Sequence, residues 1–381
     1  MAVPKLRFKE FNTGYISTTF EKLKGFSIQS GKSEDKGDTG EFPFYGSTGV
    51  IGHKNVFDYE GKSILIARVG ANAGSLYQID GKYSVSDNTL RLTVSDNISL
   101  DYLRGLLIKF NLNRLVFGTG QPLVTGGMIK KVNIFIPEFI EQNKIASFLS
   151  SVDEKISQLT QKHQLLSQYK QGMMQKLFSQ QIRFKADDGN EFEEWEYKLL
   201  HEIANKNSIK NKDGSVTEVL TNSALQGIIK QSDYFDREIV TESNLSGYYL
   251  VNINDFVYNP RISVHAPVGP IKRNKKCLGV MSPLYTIFTV EIGNLTYLEY
   301  FFDSNFWHDY VKSVANSGAR HDRMNITNKD FFEMPILYPC LEEQTKIANF
   351  LSAIDQKIEV VAQQIEQTKQ WKKGLLQQMF V

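Results

Sequence analysis

Two stretches of the chain carry apolar residues at alternating spacings of four and three positions, which is the pattern of one face of a heptad helix. The positions of this face that we expect to pair are Ile145, Leu149, Val152, Ile156 and Leu159 in the first stretch and Ile347, Leu351, Ile354, Ile358 and Val361 in the second. Neither stretch contains proline, whereas Pro137 and Pro339 come just before them, where a helix can begin. The pattern predicts two long helices.

The two predicted helices are copies of one sequence. Glu141 to Ile156 matches Glu343 to Ile358 without a gap, at an offset of 202 residues (343 minus 141). A single apolar stripe on a long helix is exposed unless something covers it, and the other copy is a suitable cover. We therefore expect the helices to pair antiparallel within the chain; the alternative is that each packs on its own globular half. His163 and Lys170 interrupt the stripe in the first copy, and Thr368 and Lys372 are the expected weak points of the second.

The repeat continues outside the helices. Leu6 to Lys9 recurs as Ile182 to Lys185 shortly after the first helix, whereas the second helix is followed by the end of the chain. The segment that would continue the second helix is thus found at the amino terminus. We expect the end of the second helix to lie near the start of the first globular segment, which would give one polypeptide a pseudo-twofold axis.

The segments between the helices have a mixed pattern. Short runs rich in β-branched and aromatic residues, bounded by Gly, Asn, Asp and Ser, predict strands, and residues 101–110 and 298–314 predict helices. The predicted fold class is α+β, with two globular domains of mixed helix and sheet separated by a two-helix antiparallel coiled coil. The predicted boundaries are residues 1–137 and 181–339 for the globular domains, and 138–180 and 340–381 for the helices.

Composition limits the class of protein. The 381 residues include 44 Lys plus Arg and 42 Asp plus Glu, so the net charge is only +2 and a nucleic-acid site must come from local clustering. Two cysteines fit a reducing compartment and do not suit a disulfide scaffold. No run approaches the length of a membrane-spanning segment or a signal peptide. We expect a soluble cytoplasmic protein.

Basic loops follow two of the predicted strands. Ser63 to Ala67 is followed by Arg68, and Phe256 to Pro260 is followed by Arg261, while the stretch from Phe256 to Val290 contains no acidic residue. Such loops suit phosphate oxygens, and amide, hydroxyl and imidazole groups beside them can contact base edges. A glycine-containing loop precedes the last predicted strand of each half. Its backbone N–H groups and polar side chains are further candidates for contacts with phosphate. The alternatives are ordinary solvated loops and tight turns. The candidate DNA-binding residues are Lys54, Arg68, Asn72, Gln78, Gln121, Asn259, Arg261, Ser263, His265, Lys272, Arg273, Lys275, Lys276, Arg320, His321 and Arg323.

Catalytic patterns are not found. Gly25 to Ser33 resembles a phosphate-binding P-loop but has five residues between its glycines where four are needed. Asn259 to Ile262 begins like the Asn-Pro-Pro-aromatic motif of amino-methyltransferases but lacks the aromatic residue that stacks on a flipped base. The six histidines are scattered singly, which disfavours a zinc site. We expect no enzyme activity, no cofactor and no metal in the isolated chain.

The chain closely resembles the specificity subunit of type I restriction-modification systems. The residues that carry the resemblance are the repeated Pro-x4-Gln-x2-Ile-Ala-x-Phe-Leu runs that begin at Pro137 and Pro339, supported by Phe44 to Gly52, Ile66 to Gly70 and Val257 to Arg261. The resemblance implies a non-catalytic reader of double-stranded DNA. Each globular segment would be a target recognition domain for one half of a bipartite, asymmetric sequence, and the helix pair would fix their separation.

Partners come from the resemblance alone. It implies methyltransferase subunits, two per chain, that bring S-adenosylmethionine and methylate adenine at N6, and restriction subunits that bring ATP-driven translocation and cleavage. Two alternatives remain at this point. One is a stand-alone two-domain DNA-binding repressor or adaptor, and the other is a degenerate DNA methyltransferase; co-purification with a methyltransferase and binding of S-adenosylmethionine by the isolated chain would discriminate them.

Overall fold

The computed structural model describes residues 3–32, 39–117, 122–234, 242–316 and 322–381. The chain divides into two compact units, of which the first comprises Met1–Lys162 with Val361–Val381 and the second comprises His163–Val360. Each unit therefore contains one globular segment, the amino-terminal part of one long helix and the carboxyl-terminal part of the other. This division cuts both helices, so the sequence-based boundaries between globular domains and helices stay an interpretation of the repeat.

The first unit combines sheets and helices. The strands and helices are β1 (Ile16–Thr19), β2 (Ser27–Ser30), β3 (Phe42–Gly46), β4 (Gly49–Lys54), β5 (Tyr59–Glu60), β6 (Ser63–Ala67), β7 (Leu76–Ile79), β8 (Lys82–Val85), β9 (Thr89–Thr93), α1 (Leu100–Phe110), α2 (Gly126–Lys130), β10 (Asn133–Ile136) and α3 (Phe139–Phe178). The sheets are an antiparallel one in the order β2-β9-β6-β7, a second one in the order β4-β3-β8-β5 with β3 parallel to β8, and the antiparallel pair β1-β10.

The second unit repeats part of this plan. The strands and helices are β11 (Glu196–Leu199), α4 (Leu200–Ile203), β12 (Ala204–Asn207), β13 (Leu220–Ser223), β14 (Gly227–Lys230), α5 (Gln231–Tyr234), β15 (Tyr249–Val251), β16 (Phe256–Tyr258), β17 (Ile271–Arg273), β18 (Gly279–Met281), β19 (Thr286–Val290), α6 (Leu295–Asp303), α7 (His308–Val314), α8 (Asn328–Phe332), β20 (Pro335–Tyr338) and α9 (Leu341–Met379). The antiparallel sheet β12-β19-β16-β17 and the pair β11-β20 correspond to β2-β9-β6-β7 and β1-β10, and two further antiparallel pairs are β13-β14 and β15-β18.

The central strands follow from continuous apolar runs. All five residues of β6 are buried, and so are the three residues of β16, which is the pattern of strands that are covered on both faces. The helix predicted at residues 101–110 is confirmed as α1. The helix predicted at 298–314 is wrong in one respect, because it is broken into α6 and α7: Ser304 leaves the helix with extended backbone, and the buried Trp307 donates its indole N–H to the Phe302 carbonyl at 3.1 Å.

The start of each long helix packs on its own globular segment and on the end of the other helix at the same time. In the first unit one core contains Ile145, Leu149 and Val152 of α3 together with α1 and the Leu375 to Phe380 end of α9. In the second unit the core contains Ile347, Leu351 and Ile354 of α9 together with α6 and the Met174 to Phe178 end of α3. The apolar stripe at the start of each helix is therefore covered both by its own globular segment and by the end of the other helix, which the sequence offered as alternatives.

Burial varies along the predicted seam. Leu159 and Val361 are also buried, whereas Ile156 and Ile358 are only partly so. The lysines that interrupt the seam are not weak points: Lys372 pairs with Asp153 in the first unit, and Lys170 lies 2.7 Å from Asp355 in the second. These are antiparallel cross-helix ion pairs, since each joins the end of one helix to the first half of the other.

The repeated Glu-Gln at the start of each long helix has a structural reason. Gln142 accepts a hydrogen bond from the Ser99 backbone N–H at 2.9 Å and donates to the Pro137 carbonyl at 2.9 Å. Gln344 makes the same two bonds, from Asn294 N–H and to Pro339, at 2.8 Å each. Each glutamine thereby joins the long helix to the N-cap residue of α1 or α6 and gives the backbone N–H of that residue a partner.

The continuation of the repeat through the chain terminus is confirmed. In the second unit the Ile182 N–H donates to the Lys176 carbonyl of α3 at 3.3 Å. In the first unit the Leu6 N–H donates in the same way to the Gln378 carbonyl of α9, at 2.9 Å. The amino-terminal segment thus follows the end of α9 as the segment after α3 follows that helix.

Candidate nucleic-acid interface

The loop after β16 is joined to the segment before α8. The Met324 N–H donates to the Pro260 carbonyl at 2.9 Å, and the Ile262 N–H donates to the Asp322 carbonyl at 3.0 Å. The described parts of two loops that the sequence singled out separately in this half, residues 260–262 and 322–324, are therefore held side by side. Arg261 and Arg323 face each other across this backbone pairing.

An open cavity of about 400 Å³ lies beside these two arginines. The Arg261 side chain is 69% exposed and its Nε is 3.9 Å from the nearest oxygen of Asp322, while Arg323 is 28% exposed and its Nε is 3.8 Å from the same oxygen. One carboxylate thus lies at the edge of ion-pair distance from two guanidinium groups. The rest of the lining is largely polar or aromatic and includes Asn222, Gln231, Tyr248, Asn259, Ser282 and Tyr285.

Asn259 holds the start of the loop in place. Its side-chain oxygen accepts from the Arg261 N–H at 3.0 Å, and its amide donates to the Asn222 carbonyl at 3.0 Å. Tyr258 donates its hydroxyl to the Val268 carbonyl at 2.8 Å, and burial raises the pKa of that hydroxyl well above its ordinary value, so that it remains a donor. Arg261 is therefore exposed on a fixed backbone.

The first unit joins its loops by the same backbone scheme. The Val124 N–H donates to the Arg68 carbonyl at 2.9 Å, and the Gly70 N–H donates to the Pro122 carbonyl at 3.0 Å. Asn72 is exposed on the loop after β6. In each unit, then, the loop after the central strand is tied to the segment that precedes the last short helix, and together they form one surface.

The two arginines that the sequence grouped are not equivalent within this scheme. Arg68 directly follows its strand and is half-buried, and its guanidinium donates to the Asp87 carbonyl at 3.3 Å. Arg261 comes two residues further along its loop and is exposed. Arg261 is therefore the more available of the two for a polyanion.

The basic residues around β17 face acidic groups. Lys272 lies 2.5 Å from Asp303, Lys275 lies 2.6 Å from Glu299, and Arg273 lies 3.8 Å from the other oxygen of Glu299. The acids come from α6, so the stretch that lacks acids in sequence is balanced by acids in space. Lys276 is exposed, as are Ser263 and His265 on the preceding loop.

The remaining candidates have structural partners or lie elsewhere. The Gln78 amide donates to Asp101 at the start of α1, in a crevice that faces the long helices. Lys54 is 3.4 Å from Asp58 and lies over the ring of Phe44 at 5.5 Å. Neither is brought together with Arg68 by a contact of the described residues. Gln121, Arg320 and His321 lie outside the described residues and stay predictions.

Asn222 is a residue of the cavity that the sequence did not single out. It is 3% exposed, and its amide donates to the Val257 and Pro270 carbonyls at 2.7 and 3.2 Å, which joins β13 to β16 and to the residue that precedes β17. Its side-chain oxygen has no hydrogen-bond partner among the described residues. An asparagine in a four-residue strand carries no motif, so sequence reasoning had no signal for it.

The residues that the structure describes contain no group of three or more His, Cys, Asp or Glu side chains placed to hold a metal ion. None of their helices combines the length and apolarity that are needed to cross a membrane. The arrangement that these residues do offer is a pair of joined loops in each unit, with exposed cations in the second.

Comparison with known proteins identifies the family. The family model described as "Type I restriction modification DNA specificity domain" matches residues 8–168 and 192–370. The chain belongs to this family. It carries two type I DNA specificity domains, one in each half, as the sequence repeat predicts. This assignment favours a specificity subunit over the stand-alone repressor and the degenerate methyltransferase that the sequence left open.

Relatives of known name support the assignment to the specificity family. The chain is similar to the type I restriction enzyme MjaVIII specificity subunit of Methanocaldococcus jannaschii, with 26% identity over 82% of this chain and 77% of that protein. It is also similar to the EcoprrI specificity subunit of Escherichia coli, with 25% identity over 34% of this chain and 32% of that protein. The match with the E. coli protein thus spans about a third of its length.

Solved structures of specificity subunits share the fold. The S subunit of a type I restriction-modification system from M. genitalium superposes with a TM-score of 0.59 at 15% identity, over 100% of this chain and 99% of that one. The HsdS subunit from Thermoanaerobacter tengcongensis superposes with a TM-score of 0.51 at 14% identity, over 97% of both chains. At these identities the likeness concerns the fold alone.

Proposed function

We propose that this specificity protein is a non-catalytic subunit that reads a bipartite, asymmetric double-stranded DNA target, with one unit for each half-site. The observation that carries the proposal is the joined pair of loops, which both units build by the same backbone hydrogen bonds but furnish with different side chains. A common frame with different loop residues suits two readers of different sequences, because base contacts specify while the frame positions them.

The partners follow from family membership and remain part of the proposal. Methyltransferase subunits, two per chain, would supply S-adenosylmethionine and the adenine N6 chemistry, and restriction subunits would supply ATP-driven translocation and cleavage. The chain itself needs no cofactor for this role. One of the solved structures that share the fold concerns complex assembly and conformational transition of the type I restriction-modification system. That structure supports an assembly of this kind.

Arg261 is expected to contribute more to DNA binding than the paired Lys272. Arg261→Ala should weaken binding by roughly 1–3 kcal/mol if the guanidinium contacts a guanine edge, and should relax specificity in one half-site only. Lys272→Ala is the matched control: its ammonium is 2.5 Å from Asp303, so its loss should cost little DNA affinity. The measurement is fluorescence anisotropy with a duplex that the full chain enriches from a random-sequence pool. Equal losses for both variants, or none for Arg261→Ala, would remove this loop from the interface.

The two long helices are proposed to set the distance between the half-sites. Deleting seven residues from each copy, Leu159–Leu165 and Val361–Gln367, preserves the heptad phase and shortens each helix by roughly 10 Å. That corresponds to about 3 base pairs and a turn of roughly 100° about the DNA axis.

We expect the doubly deleted chain to lose affinity for the original target and to prefer a shorter spacer, while both half-site sequences stay the same. Hydrogen-exchange protection in both units serves as the control for folding. A folded deletion variant that keeps the original spacer preference and affinity would show that the helices do not determine the distance.

A further inference from the structure

The loop between β16 and β17 contains a tight turn with an apolar residue at its tip. The Ser263 N–H donates to the Ala266 carbonyl at 3.0 Å, and the Ala266 N–H donates back to the Ser263 carbonyl at 3.1 Å. Val264 and His265 are the two residues of the turn between these bonds. The Val264 side chain is 96% exposed, the highest value among the large exposed hydrophobic residues that the structure describes.

The conformation of the turn does not require a valine. Two-residue hairpin turns favour Asn-Gly or Gly because their central residues usually have positive φ, but neither Val264 nor His265 is among the described residues with positive φ. A turn of this kind accepts most residues at its two central positions. The side chain that bonds to the backbone is that of the first residue, Ser263, whose hydroxyl accepts from the Ala266 N–H at 3.2 Å. A branched apolar side chain adds nothing to the turn itself.

The base of the turn is fixed. Ala266 is 7% exposed and Val268 is fully buried, and the Gly269 N–H donates to the Ala266 carbonyl at 3.1 Å. Gly269 has a φ of +83°, and a Cβ there would lie 2.1 Å from the Asn259 carbonyl oxygen, so that only glycine lets the chain return this close to the end of β16. Val264 is therefore presented on a backbone that loses little conformational freedom when it binds.

The neighbourhood of the tip selects its partner. Arg261 is exposed at the base of the same loop, and Ser263 and His265 flank the valine. The two methyl groups of Val264 therefore lie beside a cation and hydrogen-bonding side chains, which can contact an anionic or hydrogen-bonding surface. In the major groove of DNA, the 5-methyl group of thymine is the apolar feature that stands beside base acceptors and the phosphate backbone.

We propose that Val264 contacts the 5-methyl group of a thymine in the half-site read by the second unit, and so acts as a specificity-determining residue. This inference rests on the proposed function. In the first unit the exposed residues of the corresponding loop are Ala71 and Asn72, which present one methyl group and an amide. Dependence on the thymine methyl group through this loop position is therefore a property of the second unit.

The test replaces the methyl group on either side of the contact. The full chain, with and without Val264→Ala, is titrated against the duplex that the wild type enriches from a random pool, with each thymine in turn replaced by deoxyuridine. Burial of one methyl group corresponds to about fourfold in affinity, from ~0.8 kcal/mol per group and 1.4 kcal/mol per tenfold. Val56→Ala, at an exposed valine of the first unit, is the matched control.

We expect one deoxyuridine substitution to weaken wild-type binding about fourfold, and Val264→Ala to bind the thymine and uracil duplexes equally. The Val56→Ala variant should keep the fourfold difference. The inference is overturned if no thymine shows the difference in the wild type, or if Val264→Ala retains it. These results leave sequence-specific binding in place. Failure of the wild type to enrich any sequence would instead overturn the proposed function and the inference together.

Discussion

Replacing Glu343 with alanine is expected to destabilise the second unit by about 3–5 kcal/mol, because it removes one partner from a buried ion pair and leaves the other without its buried counter-charge. Glu343 is fully buried and accepts hydrogen bonds from Arg183 Nε and Nη2 at 3.3 and 2.9 Å, and from the Trp195 indole N–H at 2.8 Å. The Glu343 hydrogen bond raises the pKa of Arg183. The guanidinium stays charged after the substitution as well, because arginine is not deprotonated in proteins.

Glu342→Ala is the matched control, since that neighbouring side chain is 57% exposed and its ion pair with Lys346 is long, at 3.9 Å. Exposed pairs of this kind contribute at most about 1 kcal/mol. Amide hydrogen exchange should show faster opening across the second unit for Glu343→Ala, with the first unit unchanged. Equal exchange in the two variants would mean that the buried pair contributes nothing to stability.

The first unit has the same arrangement, so Glu141→Ala should reproduce the effect there. Glu141 is fully buried, accepts from Arg7 Nε and Nη2 at 2.8 and 2.7 Å, and accepts from the Tyr15 hydroxyl at 3.0 Å. Burial and this carboxylate raise the pKa of Tyr15 well above its ordinary value, so the phenol remains a donor. The loss of protection should then be confined to the first unit.

The second large effect concerns the last aromatic residue of each helix copy. Phe178→Ala should destabilise the second unit, and Phe380→Ala the first, by about 3–5 kcal/mol each, because each ring fills a site that cannot collapse fully. Phe178 is 1% exposed and packs on Tyr297 and Phe301, with ring centroids 5.6 and 5.8 Å away. Phe380 is 2% exposed and lies 5.0 Å from the Tyr102 ring.

The two phenylalanine variants are controls for each other. Phe380 is far from α1 in sequence but belongs to its core, so the exchange data should show faster opening in residues 1–162 for Phe380→Ala. Phe178→Ala should leave that segment unchanged and act on residues 181–339. The claim tested is that the end of α3 belongs to the core of the second unit and the end of α9 to the core of the first. A reversed pattern, in which each variant affects the globular segment that precedes its helix in sequence, would contradict it.

The helices and the order of the repeat could be predicted from sequence because their signals are local. Heptad spacing, the prolines at 137 and 339 and the gapless repeat all lie within short windows. The role of Lys170 and Lys372 could not be predicted, because their partners Asp355 and Asp153 are 185 and 219 residues away. In the sequence each lysine interrupts an apolar stripe, whereas in the structure it forms an ion pair with the other helix.

The candidate site was only partly predictable for the same reason. The loops that carry Arg261 and Arg323 were found from charge and glycine, and the structure brings them together. The acids of α6 that neutralise Lys272 and Lys275 lie outside the acid-free stretch, so sequence overstated the charge of that stretch. Arg68 and Arg261 share a place after a strand but differ in loop position, which depends on the length of β16 and β6 as folded.

The most direct test of the central claim is enrichment of DNA by the full chain from a random-sequence pool. We expect two constant blocks separated by a spacer of fixed length and free sequence. We also expect Arg261→Ala to relax one block and to leave the other intact. A single continuous block, two copies of the same block, or no enrichment would contradict a protein in which each unit reads its own half of the target.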